Sequence, residues 1–183
     1  MGSGWIHRAF AFITVFGFFS YPSQMLFLQG QTAEYPAKLA FLYNFVKFIE
    51  WPTSSYDHPG APLVMCIVGA DPFSADRESQ LQGQTVAGHP VHVQRMKSND
   101  QLSGCHVVYI PGTERIQQER LLRGLLGSSI LTVGESEGFA ELGGIINLRF
   151  EGDQLRFEIN RRAAERGRLK ISSHLLHLAQ IID

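Results

Sequence analysis

Residues Ala33 to Pro52, AEYPAKLAFLYNFVKFIEWP, place apolar side chains at helical spacing. On a helix, Leu39, Phe41, Leu42, Phe45, Val46, Phe48 and Ile49 cover one half of the cylinder, opposite Tyr43, Asn44, Lys47 and Glu50. Pro36 suits a first turn and Pro52 forbids continuation past Trp51, which sets the expected limits. Lys38 falls inside the apolar arc. Its place near the helix start predicts a side chain that snorkels to water, or else a contact with a partner's carboxylate.

The period then shortens. Leu63 to Val68, LVMCIV, is a continuous apolar run of the kind buried on both faces of a sheet. Asp71 as N-cap and Pro72 at the first helical position open a helix to about Leu81, with Gly83 ending it. Val86 to Met96 holds a second strand, with Val91 and Val93 alternating against His92 and Gln94. Cys105 to Ile110 is a third, and Ile130 to Val133 a fourth. Between these last two, a helix capped by Thr113 turns Ile116, Leu121, Leu122 and Leu125 inward and stops at Gly127. Strands alternating with helices predict a parallel, doubly wound sheet, in which the first strand commonly neighbours the third.

Beyond Gly144 the pattern becomes strict alternation. Ile146, Leu148 and Phe150, then Leu155, Phe157 and Ile159, flank the turn Glu151-Gly152-Asp153-Gln154 and predict a hairpin. Its other face, Asn147, Arg149, Arg156 and Glu158, is expected to meet solvent. Asn160 caps a short helix that Gly167 ends. A last helix begins at Ser172 or Ser173, with Leu175, Leu178, Ala179 and Ile182 packing inward. The expected class is α/β: a largely parallel sheet, mixed by its C-terminal hairpin and flanked by helices.

Composition adds boundaries. The chain has 183 residues, 44% hydrophobic and 18% charged, with a formal net charge of -1. That is enough for a proper core, and it carries no electrostatic footprint for nucleic acid or an anionic membrane. His7 and Arg8 precede the apolar stretch Ala9 to Phe19, which reads as a secretion signal cleaved between Ser23 and Glu34. The expected organisation is a signal peptide over 1–32 and one domain over 33–183. In an oxidising compartment Cys66 and Cys105, the only two cysteines, suggest a disulfide, with two buried unpaired thiols as the alternative. Adjacency of the first and third strands brings them within reach and favours the bond.

Candidate chemistry is sparse. Gly134-Glu135-Ser136-Glu137-Gly138 matches G-x-S-x-G, and Asp153 with His174 or His177 completes a hydrolase order. Only four residues separate Gly138 from Gly143-Gly144, too few for the helix that a nucleophile elbow feeds. Glu135 and Glu137 would also oppose a developing oxyanion. His174 and His177 lack a third metal ligand, and His89 and His92 point to opposite faces of a strand. Asp71, with Phe73, lies at the carboxyl end of a parallel strand, where such sheets take ligands, although capping alone explains it. No cofactor motif and no catalytic residue is expected.

Several stretches together resemble one family. KLAFLYNFVKFIEWP, LVMCIVGADPF, GCHVVYI, LTVGESEGFAELGGIINL, LRFEIN and LKISSHLLHLAQII, in this order and spacing, are similar to the YfiR-like periplasmic proteins that repress a membrane-bound diguanylate cyclase. The resemblance implies an α/β fold, often dimeric, and control of c-di-GMP signalling by contact with the periplasmic part of the cyclase, without catalysis. It also implies the Cys66–Cys105 disulfide and a partner surface around Ile146 and Glu158, to which Arg156 and Lys38 are added. Some relatives carry a second cysteine pair beside the GG segment. Gly138 to Asn147 holds none, so redox control of that kind is not expected here.

Overall fold

The computed structural model describes residues 38, 40–69, 81, 83–98, 100–112, 114–151 and 154–183. The first strands are β1 Ile49–Glu50, β2 Leu63–Val68, β3 Thr85–Val86, β4 His89–Met96 and β5 Val107–Ile110. They are followed by β6 Leu131–Gly134, β7 Ile146–Glu151, β8 Gln154–Asn160, β9 Lys170–Ile171 and β10 Gln180–Ile182. Helix α1 covers residues 40–46; α2 is Arg115–Gly124, α3 Arg161–Arg166 and α4 Ser173–Leu178.

Eight strands make one sheet in the order β10-β8-β7-β6-β5-β2-β4-β3, and β1 pairs antiparallel with β9 apart from it. β4, β2, β5, β6 and β7 run parallel, and β2, β5 and β6 are the near-continuous apolar runs of strands buried on both faces. β8 folds back antiparallel on β7, and β10 returns parallel to β8. The α/β class, the largely parallel sheet and the C-terminal hairpin all agree with the sequence pattern. So does the adjacency of β2 and β5. It brings Cys66 and Cys105 to a Cα separation of 5.9 Å, where they form a disulfide with an S–S distance of 1.95 Å.

Alternation sorts each strand between two cores. Leu63, Met65 and Ile67, Val107 and Tyr109, Leu131 and Val133, Ile146 and Ile159 face one side, packed with Leu42, Phe45 and Val46 of α1. Cys66, Val68, Val108 and Ile110 face the other, packed with Leu121 and Leu122 of α2 and with Phe139. Phe45 also meets Phe157 edge to face at 5.0 Å between ring centroids.

Four expectations change in whole or in part. The first helix stops at residue 46 rather than Trp51, because Ile49 and Glu50 pair with Ile171 and Lys170 of β9 and leave the helical path. Val86 to Met96 holds a strand as expected, β4, but its first residues turn back from β3 in a hairpin. Ala87 and Gly88, with φ of 50° and 86°, make the two-residue reversal between β3 and β4. On α2, Ile116 is 72% exposed while Gln118 is buried, since the side chain of Gln118 bonds inward to Ser136. After α4 the chain straightens into β10, so Leu178 is 63% exposed instead of packed. Capping by Asn160 and Ser172 is as expected: their side chains accept from Ala163 N and Leu175 N. The leader over 1–32, the Asp71 helix with Phe73 and the Thr113 cap lie outside the described residues.

Candidate functional site

At the carboxyl end of β6, residues 134–144 fold around a single ring. Phe139 is fully buried between Gly134 and Gly144, and a Cβ at either glycine would fall 2.4 Å or 2.1 Å from it. Gly143, at φ 101°, completes the return. Gly134 and Gly144 serve close packing and Gly138, at φ 75°, a left-handed turn, which accounts for the G-x-S-x-G spacing without a nucleophile. Ser136 Oγ accepts from Gln118 Nε2, His174 packs on Phe48 at 5.5 Å, and His177 Nδ1 bonds Ser173 O. Asp153 lies outside the described residues.

Glu135, next to that turn, gathers three segments. Its carboxylate takes the Lys38 ammonium at 2.5 Å, the Tyr109 hydroxyl at 3.0 Å and the Gly112 amide at 3.1 Å. The Lys38 ammonium also lies 5.3 Å from the centroid of the Phe150 ring. Lys38 therefore does not snorkel to water. It is buried because a carboxylate of its own chain follows β6 within reach. A buried ammonium is tolerable only with such a partner.

The second network lies on the hairpin. Asn147 and Glu158 are cross-strand partners in register. Asn147 Nδ2 donates to Glu158 Oε2 at 3.0 Å, and Arg149 donates to Glu158 Oε1 at 2.6 Å. The hydrogen bond to Glu158, with its charge, holds the Arg149 guanidinium more firmly protonated than usual. Glu158 is only 3% exposed, contrary to the solvent-facing position that alternation predicts. Asn147 is fully buried as well. Alternation identified the face correctly, but residues 135–145 cover it. Asn160 ties down that cover, donating through Nδ2 to Ala140 O at 2.8 Å, and Thr132 Oγ1 accepts from Ile145 N at 2.9 Å.

Of the residues expected to meet a partner, Ile146, Lys38 and Glu158 are buried, and Arg156 is exposed beside Glu151 and Gln154. The exposed groups nearby are different ones. Arg149, Arg156, Leu178 and Gln180 line a groove of about 360 Å³ between the hairpin and the last strand. Leu178 stands at the groove, Ile181 on the edge strand is 40% exposed, and Phe150 is 37% exposed. Sequence reading missed Leu178 because helical spacing turned it inward, and it gave Ile181 no role.

The family model described as YfiR/HmsC-like matches residues 35–180. The chain belongs to the YfiR/HmsC-like family. That family is regulatory rather than catalytic, in keeping with a Ser136 whose hydroxyl is occupied by an amide. The match spans both the Lys38–Glu135 cluster and the hairpin network, so the two belong to the family domain. Among the described residues, no helix is long and apolar enough to cross a membrane.

Proposed function

We propose that this YfiR/HmsC-like protein is a periplasmic repressor that holds a membrane-bound diguanylate cyclase inactive by direct contact. Family membership supports the class. The observation that carries the contact surface is the exposure of Leu178 beside Arg149 and Arg156 in the groove, with Ile181 exposed on the other face of the same open edge of the sheet. Apolar side chains rimmed by arginine suit the extracytoplasmic part of a cyclase, since such patches are uncommon on surfaces that bind nothing. Ile146, Glu158 and Lys38 act from inside in this reading, by holding the hairpin and the 135–145 cover in one shape, while Arg156 meets the partner directly.

The test is c-di-GMP content in a host carrying the neighbouring cyclase gene. Deleting this protein raises it, and wild-type chain supplied in trans restores it. Leu178→Asp and Ile181→Lys fold normally but weaken the contact by about tenfold or more each, as interface anchors do, and so fail to restore repression. Unchanged c-di-GMP on deletion, or full repression by both variants, would refute the reading.

A further inference from the structure

A cavity of about 410 Å³ lies at the amino ends of β2, β5 and β6, the opposite end of the parallel strands from the Glu135 cluster. That volume is typical of small-molecule sites. Five serines contribute to its wall, an unusual density of hydroxyls. Ser128 uses its own on Leu125 O, at 2.6 Å. Ser55 Oγ is buried and has no hydrogen-bond partner. Leaving a buried hydroxyl unpaired costs about 1–3 kcal/mol, a penalty that a ligand oxygen in the cavity removes.

Charge enters at two places. Arg168 and Asp57 both line the cavity, and neither has an ion pair or side-chain hydrogen bond among the described residues. Arg168 is held there by its backbone. Gly167 packs so close to the Ser128 carbonyl that a Cβ would sit 2.6 Å from it, and Arg168 itself adopts φ 58°. A non-glycine residue is strained in that region, and such strain persists where the surroundings enforce it. His106, also in the wall, adds no charge. Its Nδ1 accepts from Val64 N at 3.1 Å, so Nε2 is the protonated nitrogen, 3.0 Å from Ser55 O.

We propose that this cavity binds a small polyhydroxylated anion, a sugar acid or sugar phosphate. The anionic group meets Arg168, and the ligand hydroxyls are shared among Ser55, the neighbouring serines and Asp57. An arginine offers a planar fork of donors suited to carboxylate or phosphate oxygens, while Asp57 accepts from ligand hydroxyls and disfavours a second negative charge.

Thermal shift of the purified chain with gluconate, glycerol 3-phosphate, inorganic phosphate, glycerol and chloride at matched ionic strength tests this. Gluconate or glycerol 3-phosphate raises Tm saturably, and whichever acts identifies a carboxylate or a phosphate ligand. Glycerol and chloride do not. Arg168→Asn tolerates the left-handed backbone and folds, yet weakens the effective ligand by about tenfold or more, as loss of a charge-assisted bond does. Arg162→Gln, on α3 and outside the cavity lining, leaves the shift intact. Three results would overturn the proposal: no shift with either hydroxylated anion, an unchanged shift in Arg168→Asn, or inorganic phosphate acting as well as both. The outcome is independent of the cyclase reading, because binding here and unchanged c-di-GMP on deletion can each occur without the other.

Discussion

One face of the central sheet is apolar across its parallel strands and hairpin, from Met65 and Ile67 through Tyr109 and Val133 to Ile146 and Ile159. The other begins in the same way, with Cys66, Val68, Val108 and Ile110, and then turns polar at Thr132, Asn147, Glu158 and Asn160. Both faces are buried over these positions, and their covers differ. The first lies under α1, whose backbone groups bond one another and which supplies Leu42, Phe45 and Val46. The second lies, over β6 to β8, under residues 135–145, which have no regular element. A cover made of turns brings backbone groups that need partners, and Thr132 and Asn160 supply them. The apolar face gains its stability from area, whereas the polar face depends on a few specific side chains.

If so, single substitutions on the second face have outsized effects. The largest concerns Phe139. Gly144→Ala puts a methyl 2.1 Å from the ring, with no space to absorb it, and is expected to prevent stable folding. Phe139→Ala removes the ring and costs about 3–5 kcal/mol. Combining Phe139→Leu with Gly144→Ala should recover part of the loss, a coupling that denaturant melts in a double-mutant cycle would measure. Strictly additive costs would mean that the two residues do not share the space the structure assigns them.

Next comes the staple. The Cys66–Cys105 bond spans a sequence separation of 39 and joins the strands at the middle of the sheet. By loop-closure entropy its removal costs about 4 kcal/mol. Cys66→Ala with Cys105→Ala should lower the unfolding free energy by about that amount. The α1 side should stay folded longest in hydrogen exchange, since its packing does not use the bond. Uniform loss of protection across both faces would erase the distinction between them.

How much of this was legible in the sequence follows the same division. The apolar runs of β2, β5 and β6, the hairpin and the side on which each residue of it lies follow from periodicity. The disulfide follows from strand adjacency. Glu158 did not, because alternation reports which side of a strand a residue is on and says nothing of what covers that side. Lys38 was misjudged for a related reason. Its partner Glu135 is remote in sequence, and only the fold brings it to 2.5 Å. Leu178 and the β3–β4 turn were lost to local ambiguity, where a few apolar residues suit helix and strand alike.

Glu158 sharpens the comparison at smaller scale. Glu158→Leu strands the Asn147 amide and deprives Arg149 of its carboxylate, at about 1–3 kcal/mol. Glu158→Gln keeps an acceptor for Asn147 and costs less. An equivalent Leu at an apolar-face position, such as Ile159→Leu, should cost under about 1.5 kcal/mol. Chemical melts of the three variants decide it. If Glu158→Leu proved as mild as Ile159→Leu, the polar network would be incidental to the fold.

The smallest effect is a slope with pH, and it belongs where the chain leaves α1 for the sheet. Trp51 Nε1 donates to His106 O at 3.2 Å, and the Tyr56 ring stacks between His89 and His106, at 3.7 Å and 4.6 Å from their centroids. Burial, more than any neighbouring charge, pushes the His106 pKa below its ordinary value of 6.5; His89 lowers it further, while the bond to Ser55 and the charge of Asp57 oppose the shift. Between the folded and unfolded values the unfolded chain binds more protons, so stability rises with pH in that window. The contribution is present above about 6.5 and is lost as pH falls through the lowered value. A proton on Nδ1 would also face the Val64 N–H that it now accepts from, releasing the Thr53–Ser55 turn from β2. Denaturant midpoints from pH 7.5 to pH 5 should therefore fall more steeply for the wild-type chain than for His106→Gln, whose amide can keep both bonds without titrating. Equal slopes would place the acid sensitivity elsewhere in the molecule.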